Sequence, residues 1–310
     1  MADDSFIIRN YRPSDLTRYV QLHAESESIC HSDETLFLAS LTAESPQPAD
    51  FSEKDLFLAE DKGKIVGACR LVPELAIGRA VVRLVVIPGL VDQKIASKLL
   101  LCALQRAGDL NVSKVHADLR ENDRTGRDLF AGIGFAPVRR YSELTLNLRH
   151  RPTIESKFEG FPLRPLERGC EAELTQLQNC VFDGVWGFCP NTPDQIIQLL
   201  NAPGYGHDGV IVAYLGDNAV GYCWTAKIRR ADGDGGVTLG RIHMMGVAPE
   251  YRRQGLGKLI LQAGLKHLAD SGIQTVELTA DNENKAACSL YEGAGFELKT
   301  SVVWYEKMIE

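Results

Sequence analysis

The sequence predicts an α/β protein built from two tandem copies of one mixed-sheet unit, and three observations lead there. The chain has 310 residues, enough at roughly 150 per domain for two domains. It also repeats itself. Pro88 and Phe135 are matched by Pro249 and Phe296 at one offset of 161 positions (249 − 88 and 296 − 135), and Gly67 is matched by Gly221 at 154 (221 − 67). Within each copy, apolar strands first run consecutively and then alternate with helices, the order expected of a mixed sheet in an α/β layer arrangement.

The two offsets differ by seven residues, which places an insertion in the second copy, in the Gly/Asp-rich loop 229–236. Residues 1–150 form the first copy and 161–310 the second. The polar stretch 151–160, with one proline and no periodic pattern, reads as the linker.

Each copy opens with a short strand, at 6–9 and 161–164, that leads into helical segments. Two apolar strands joined by a turn follow, then a third that stops at Pro88 or Pro249. In the second copy Leu256, Leu259, Ile260 and Ala263 stand at i, i+3, i+4 and i+7, one face of a helix that Gly272 ends. A strand at 275–279, a helix at 284–292 and two closing strands at 296–298 and 302–305 complete the unit.

Composition narrows the function. Lys plus Arg number 34 and Asp plus Glu 41, a net charge of −7, with 45% hydrophobic and 24% charged residues. Such a chain buries a full core and is neither disordered nor fibrous. An acidic balance argues against a nucleic-acid partner, which requires clustered positive charge. No stretch approaches the ~18 apolar residues of a membrane span, and the acidic start lacks the basic and apolar regions of a leader. The expected location is cytoplasmic. Eight cysteines are scattered without a Cys-x-x-Cys pair or zinc spacing, so neither a disulfide framework nor a metal site is expected.

The segment 246–258 carries the chemistry. An apolar strand stops at Pro249, a polar turn follows, and Gly255 and Gly257 open an amphipathic helix. The first N–H groups of a helix have no internal acceptor, and its dipole is positive there. Glycines let a bulky anion approach, and Arg252, Arg253 and Lys258 add positive charge. A pyrophosphate is the anion this arrangement suits. It is not a P-loop, because Leu259 follows Lys258 where Ser or Thr is required.

A second segment, 281–296, brings Asn284, Ala287, Leu290, Tyr291, Gly295 and Phe296. Together the two segments resemble the GCN5-related N-acetyltransferase (GNAT) family, whose cofactor loop reads Arg/Gln-x-x-Gly-x-Gly/Ala. The resemblance covers the second copy in element order. It implies two tandem GNAT folds, each a mostly antiparallel, splayed sheet flanked by helices, and acetyl-CoA as co-substrate with no metal. Acetyl-CoA is then expected along the backbone of Met245, Gly246 and Val247, with its pyrophosphate on Arg252, Arg253, Gln254, Gly255, Leu256, Gly257 and Lys258. Asn284 is expected to hold either the pantetheine arm or the helix start. Tyr291 corresponds to the acid that protonates the departing thiolate, a task its ordinary pKa near 10 permits.

In the same family the groups that deprotonate the attacking amine lie on the third strand. There period-two alternation would set Arg241, His243 and Met245 on one face. Arg241 stands where several members carry glutamate and cannot act as a base. His243 stands where the arylalkylamine acetyltransferases carry a catalytic histidine, and a hydrogen-bonded strand histidine is the alternative. Trp186 and Phe188 lie in the region that covers the acceptor in this family. They either contact the acceptor or plug a core beneath a loop.

The first copy departs at these positions. Val91, Asp92 and Lys94 replace Arg252, Arg253 and Gly255, and Phe130 replaces Tyr291, while Ala96 keeps the final small residue. Its expected role is structural, in packing and in closing the acceptor site. The tandem architecture is similar to that of the mycothiol synthases. However, Arg241, Ala226 and Gly187 fall where the substrate contacts of those enzymes are expected. The expectation is therefore acetyl transfer to a primary amine of a small molecule or peptide. An acyl-CoA-binding sensor without turnover and a mycothiol-synthase-like enzyme are the alternatives. Oligomeric state is left open.

Overall fold

The computed structural model describes residues 6–26, 29–30, 34–42, 51–88, 93–150, 160–230 and 237–309. Val91, Asp92, the linker residues 151–159 and the loop 231–236 lie outside the described residues. The chain forms two compact units, Met1–Tyr141 with Thr300–Glu310, and Ser142–Lys299. Contacts thus group the later part of each copy's last strand with the other copy.

The first unit begins with β1 (Phe6–Asn10), α1 (Leu16–Glu25) and α2 (Thr35–Thr42). It continues through β2 (Leu56–Asp61), β3 (Lys64–Glu74), β4 (Arg79–Val86) and α3 (Gln93–Asp109). β5 (Lys114–Arg120), α4 (Arg124–Gly132) and the first part of β6 (Ala136–Asn147) follow. The second unit holds the end of β6, then β7 (Leu163–Pro165), α5 (Glu171–Phe182), α6 (Pro193–Leu200) and β8 (Val210–Leu215). After these come β9 (Asn218–Arg230), β10 (Val237–Val247), α7 (Leu256–Asp270), β11 (Thr275–Asp281), α8 (Lys285–Gly293) and β12 (Glu297–Met308).

Strands run β1-β2-β3-β4-β5-β12 in the first unit and β7-β8-β9-β10-β11-β6 in the second. The registers of β1 through β4 and of β7 through β10 are antiparallel, whereas β4·β5 and β10·β11 are parallel. The strands of each unit are therefore of mixed direction and mostly antiparallel, with helices on both faces.

The expected closing strands at 296–298 and 302–305 are a single strand, β12. The polar run Lys299, Thr300, Ser301 contains no Gly or Pro and stays extended, and Lys299 is held by an ion pair to Glu277 at 2.6 Å. Beyond it, Val302 to Met308 pair antiparallel with β5.

Sequence accounts for the helices that frame the second sheet. α6 starts at a capping box, Thr192 with Gln195, followed by proline at its first position. α7 buries Leu256, Leu259, Ile260, Leu265 and Leu268 on one stripe. It packs closely enough that a Cβ on Gly264 would lie 2.4 Å from Cys223 Sγ. On the opposite face a Cβ on Gly246 would lie 2.1 Å from Val181 Cγ1, so α5 sits directly over the end of β10. One core lies under α7 and α8 and contains Ile242, Val247 and Tyr291. The other lies under α5 and α6 and contains Val212, Tyr222 and Trp224.

Candidate functional site

β10 and β11 are in register at only two positions, Gly240↔Val276 and Arg241↔Glu277. Past them β10 continues to Val247 and β11 to Asp281. β9 holds the other edge of β10 as far as Val247↔Gly221. The parting leaves one edge of β10 over 242–247 without a strand partner among the described residues, and buried backbone groups demand partners. A linear ligand carrying amides is one way to supply them.

The register of β9·β10 shifts between Ile242 and Met244, which leaves His243 as the extra residue of a β-bulge. The bulge corrects the expectation that Arg241, His243 and Met245 share a face. Ile242, Met245 and Val247 pack on the α7/α8 core. Met244 packs on the α5/α6 core, and His243 sits edge-on to Tyr205 and Trp224 on that same side, at 5.1 and 5.3 Å. One inserted residue reverses the alternation beyond it.

β10 leads into a short turn, Pro249–Tyr251, and then to α7. Gly255 takes φ +83 and Arg253 φ +60, the latter a conformation costing an L-residue ~1–2 kcal/mol. Among the described residues no side chain caps the start of α7. A Cβ on Gly257 would meet only Leu290 Cδ2, at 3.7 Å, so packing does not demand glycine there. The exposed N-terminus thus offers N–H groups and space together, with Arg253 and Lys258 both exposed beside it. Leu256 is buried and anchors the turn. Gln254 Nε2 donates to the Glu250 carbonyl at 3.4 Å.

Arg252 is exposed as well, but its guanidinium is turned back onto the protein. Its Nε donates to the Val247 carbonyl at 2.9 Å and its Nη2 to the Val181 carbonyl at 2.8 Å. Val181 is one of the last residues of α5, whose final carbonyls lack intrahelical donors. The guanidinium therefore ties the end of β10 to the end of α5.

Tyr291 lies on α8, 8% exposed, with its ring edge-on to Phe296 at 5.9 Å. Burial pushes its pKa above the ordinary value, reinforced by Cys223 and Cys288. The hydroxyl therefore stays protonated throughout the physiological range and makes no hydrogen bond to the described residues. Asn284 is the N-cap of α8, its Oδ1 accepting from Ala287 N–H at 3.1 Å. That bond occupies one side of its amide, and the residue is exposed.

His243 Nδ1 is 3.3 Å from the Tyr205 hydroxyl. Burial, with the charge of Arg241 second, pushes its pKa down to about 3, so the ring is neutral at pH 7. Arg241 reaches across the parting strands, its Nη2 3.5 Å from Thr279 Oγ1. Phe188 stacks on Phe182 at 5.2 Å, and Trp186 beside it is half-buried. Two bonds between Asn179 and Asn191, each 2.9 Å, pin this loop to α5.

Sequence reasoning missed Tyr205 and three buried polar atoms without a partner, Gln178 Oε1, Tyr222 Oη and Trp224 Nε1. All belong to elements of the α5/α6 core, and Gln178 Nε2 lies 2.8 Å from Met244 Sδ. Alternation marks Tyr222 and Trp224 only as inward-facing strand residues, so no sequence signal separates them from ordinary core.

In the first copy Phe130 is fully buried, edge-on to Phe135 at 5.0 Å, with no hydroxyl at the place Tyr291 holds. Lys94 lies within α3, which begins at Gln93. The helix thus covers the position where Gly255 makes its left-handed turn.

Parallel strands that part beside a glycine-opened helix are the arrangement that the resemblance of the sequence implied for a CoA-dependent acyltransferase. The chain belongs to the Acetyltransferase (GNAT) family, whose model matches residues 17–135 and 172–296. It is 30% identical over 230 residues to a mycothiol acetyltransferase of Thermobispora bispora, covering 72% of this chain and 75% of that one. It is 28% identical over 294 residues to a mycothiol acetyltransferase of Kocuria rhizophila, covering 87% and 94%. In fold it is similar to a GCN5-related N-acetyltransferase from Sphaerobacter thermophilus, with TM-score 0.72, 20% identity and 100% and 98% coverage. A tandem GNAT protein from the clavulanic acid biosynthesis pathway gives 0.68, 18% identity and 98% and 99% coverage. The protein is an acetyltransferase of this family, whose members use acetyl-CoA. Among the described residues no helix is long and apolar enough to cross a membrane.

Proposed function

We propose that the second copy binds acetyl-CoA along the freed edge of β10 and acetylates a primary amine of a small molecule. The observation that carries this is the two-position register of β10·β11, which opens the strand edge directly beside the uncapped start of α7. The backbone of Met245, Gly246 and Val247 holds the pantetheine arm. The N–H groups of Gly255, Leu256 and Gly257, with Arg253 and Lys258, hold the pyrophosphate.

The amine attacks the thioester carbonyl carbon, the tetrahedral intermediate collapses, and the C–S bond breaks. Tyr291 donates its proton to the leaving thiolate, which burial keeps available. The proton lost by the amine passes through water toward His243. With its pKa pushed down to about 3, the neutral ring serves that route as a hydrogen-bonding partner and is too weak a base to hold the proton at pH 7. Trp186, Phe188 and Arg241 line the acceptor's approach. The acidic net charge favours a cationic acceptor through steering.

The relatives named mycothiol acetyltransferase favour a second reading, a mycothiol-type acceptor. The test is thiol release from acetyl-CoA with a panel of amines: amino acids, polyamines, aminoglycosides, arylalkylamines, amino sugars, peptide N-termini and a cysteinyl glycoside. Release that depends on one class supports transfer and names the acceptor. Binding of acetyl-CoA with silence across the panel would favour a sensor.

A further inference from the structure

The parallel pair of the first copy also parts. β4 and β5 are in register at Arg79↔Lys114, Ala80↔Val115 and Val81↔His116, after which β4 runs on to Val86 and β5 to Arg120. Along a strand, main-chain groups point alternately to its two edges. Ile87 N–H donates to Val66 on β3, so Leu84, three positions before it, opens toward the parting edge. Leu84 is the counterpart of Met245 at the repeat offset (245 − 84 is 161).

That edge is already occupied by the chain itself. Ile29 N–H donates to the Leu84 carbonyl at 2.9 Å, and Cys30 N–H reaches the same oxygen at 3.4 Å. Cys30 has no exposed surface and lies in one core with Leu84, Val86, Leu119 and Phe130, against which Ile29 also packs. Burial, with Asp118 second, pushes the Cys30 thiol up to about 12, so it is an inert filler. Beside it Arg83 on β4 bridges the gap to Asp118 on β5 at 2.8 Å. Glu34 adds a second carboxylate, 3.7 Å from Arg83 and 2.7 Å from Arg70.

We propose that the main chain of Ile29 and Cys30 is a built-in occupant of the first copy's acyl-CoA groove. A pantetheine arm and a peptide both present amide N–H groups to a strand edge, so one can stand in the place of the other. The segment fills the gap and the Arg83–Asp118 pair spans it. The chain therefore takes up one acyl-CoA, not two. The proposal rests on the assignment of the matching edge in the second copy, and the experiment separates the two.

The test uses the full chain. Acetyl-CoA is titrated by calorimetry, N-ethylmaleimide labelling is mapped by mass spectrometry with and without saturating acetyl-CoA, and amide exchange is followed at Ile29 and Cys30. One site per chain is expected, with Cys30 unlabelled in both conditions while the exposed Cys180 reacts. The two amides should exchange at least a hundredfold more slowly than unstructured peptide. A second site of comparable affinity, Cys30 labelling that appears on adding acetyl-CoA, or unprotected amides would each overturn the proposal. Absence of any binding would overturn the second-copy assignment, while labelling and exchange at Cys30 still decide the occupancy.

Discussion

Nη2 of Arg252 lies 2.8 Å from the carbonyl oxygen of Val181, while Nε of the same guanidinium lies 2.9 Å from that of Val247. The residue is in the cofactor loop, yet its charge is spent on two carbonyls, one from the strand the cofactor follows and one from the helix over it. Removing it leaves both without this donor, a loss of about 1–3 kcal/mol each for a charge-assisted bond.

Arg252→Ala is accordingly expected to lower the melting temperature by several degrees while leaving the salt dependence of acetyl-CoA binding unchanged. Lys258→Ala should do the reverse, leaving the melt unchanged and weakening binding with a shallower salt slope. Calorimetry at three ionic strengths, with thermal melts of each variant, distinguishes the two. A flattened salt slope in Arg252→Ala would return that side chain to the phosphates.

Tyr291 and Phe296 are paired edge-on at 5.9 Å, as Phe130 and Phe135 are at 5.0 Å. Phenylalanine therefore already satisfies this packing in the first copy. Tyr291→Phe is expected to fold normally and to bind acetyl-CoA within about twofold, while turnover falls roughly 10²- to 10⁴-fold. Because burial raises the phenol's pKa, the wild-type rate should show no loss from Tyr291 ionisation up to pH 10. Steady-state kinetics over pH 6–10 test both statements, and unchanged turnover in the variant would remove Tyr291 from the reaction.

Much of the fold was legible because burial imposes period. The stripe Leu256, Leu259, Ile260 marked α7, and the doubled Gly-Phe and proline positions marked two copies. The start of α7 was legible because Gly255 must take a left-handed turn, which few residues tolerate. The bulge at His243 was not, since an extra strand residue leaves no compositional trace and only its partners on β9 define it. Arg252 looked like a phosphate ligand because its charge is visible in sequence and the open carbonyl of Val181, 71 positions away, is not. Ile29 and Cys30 escaped notice for the same reason: Leu84 is their partner only in space.

His243 carries a prediction in stability as well as chemistry. Its pKa is about 3 in the folded protein against an ordinary 6.5, so the unfolded chain binds a proton that the folded chain does not. This group's contribution is fully present above pH 6.5 and is lost as pH falls from there toward 3. His243→Gln should abolish that part of the pH dependence, measured by denaturant unfolding between pH 4 and 7. An imidazole seen by NMR to titrate near 6.5 in the folded protein would show that solvent reaches the ring freely and would remove this contribution.

Gly257 gives the sharpest separation of folding from binding. A Cβ there meets Leu290 Cδ2 at 3.7 Å, ordinary van der Waals contact, and the first copy carries Ala96 at the matching place. Gly257→Ala removes a helix-destabilising glycine worth about 0.8–1 kcal/mol, so the melting temperature should hold or rise. Gly257→Glu keeps the same Cβ but sets a carboxylate against the helix start, where it competes with and repels the pyrophosphate. Acetyl-CoA affinity is then expected to fall at least tenfold with the melt within a few degrees of wild type. Equal affinity in both variants would mean that the phosphates do not rest on the start of α7, and the assignment of the cradle would have to move.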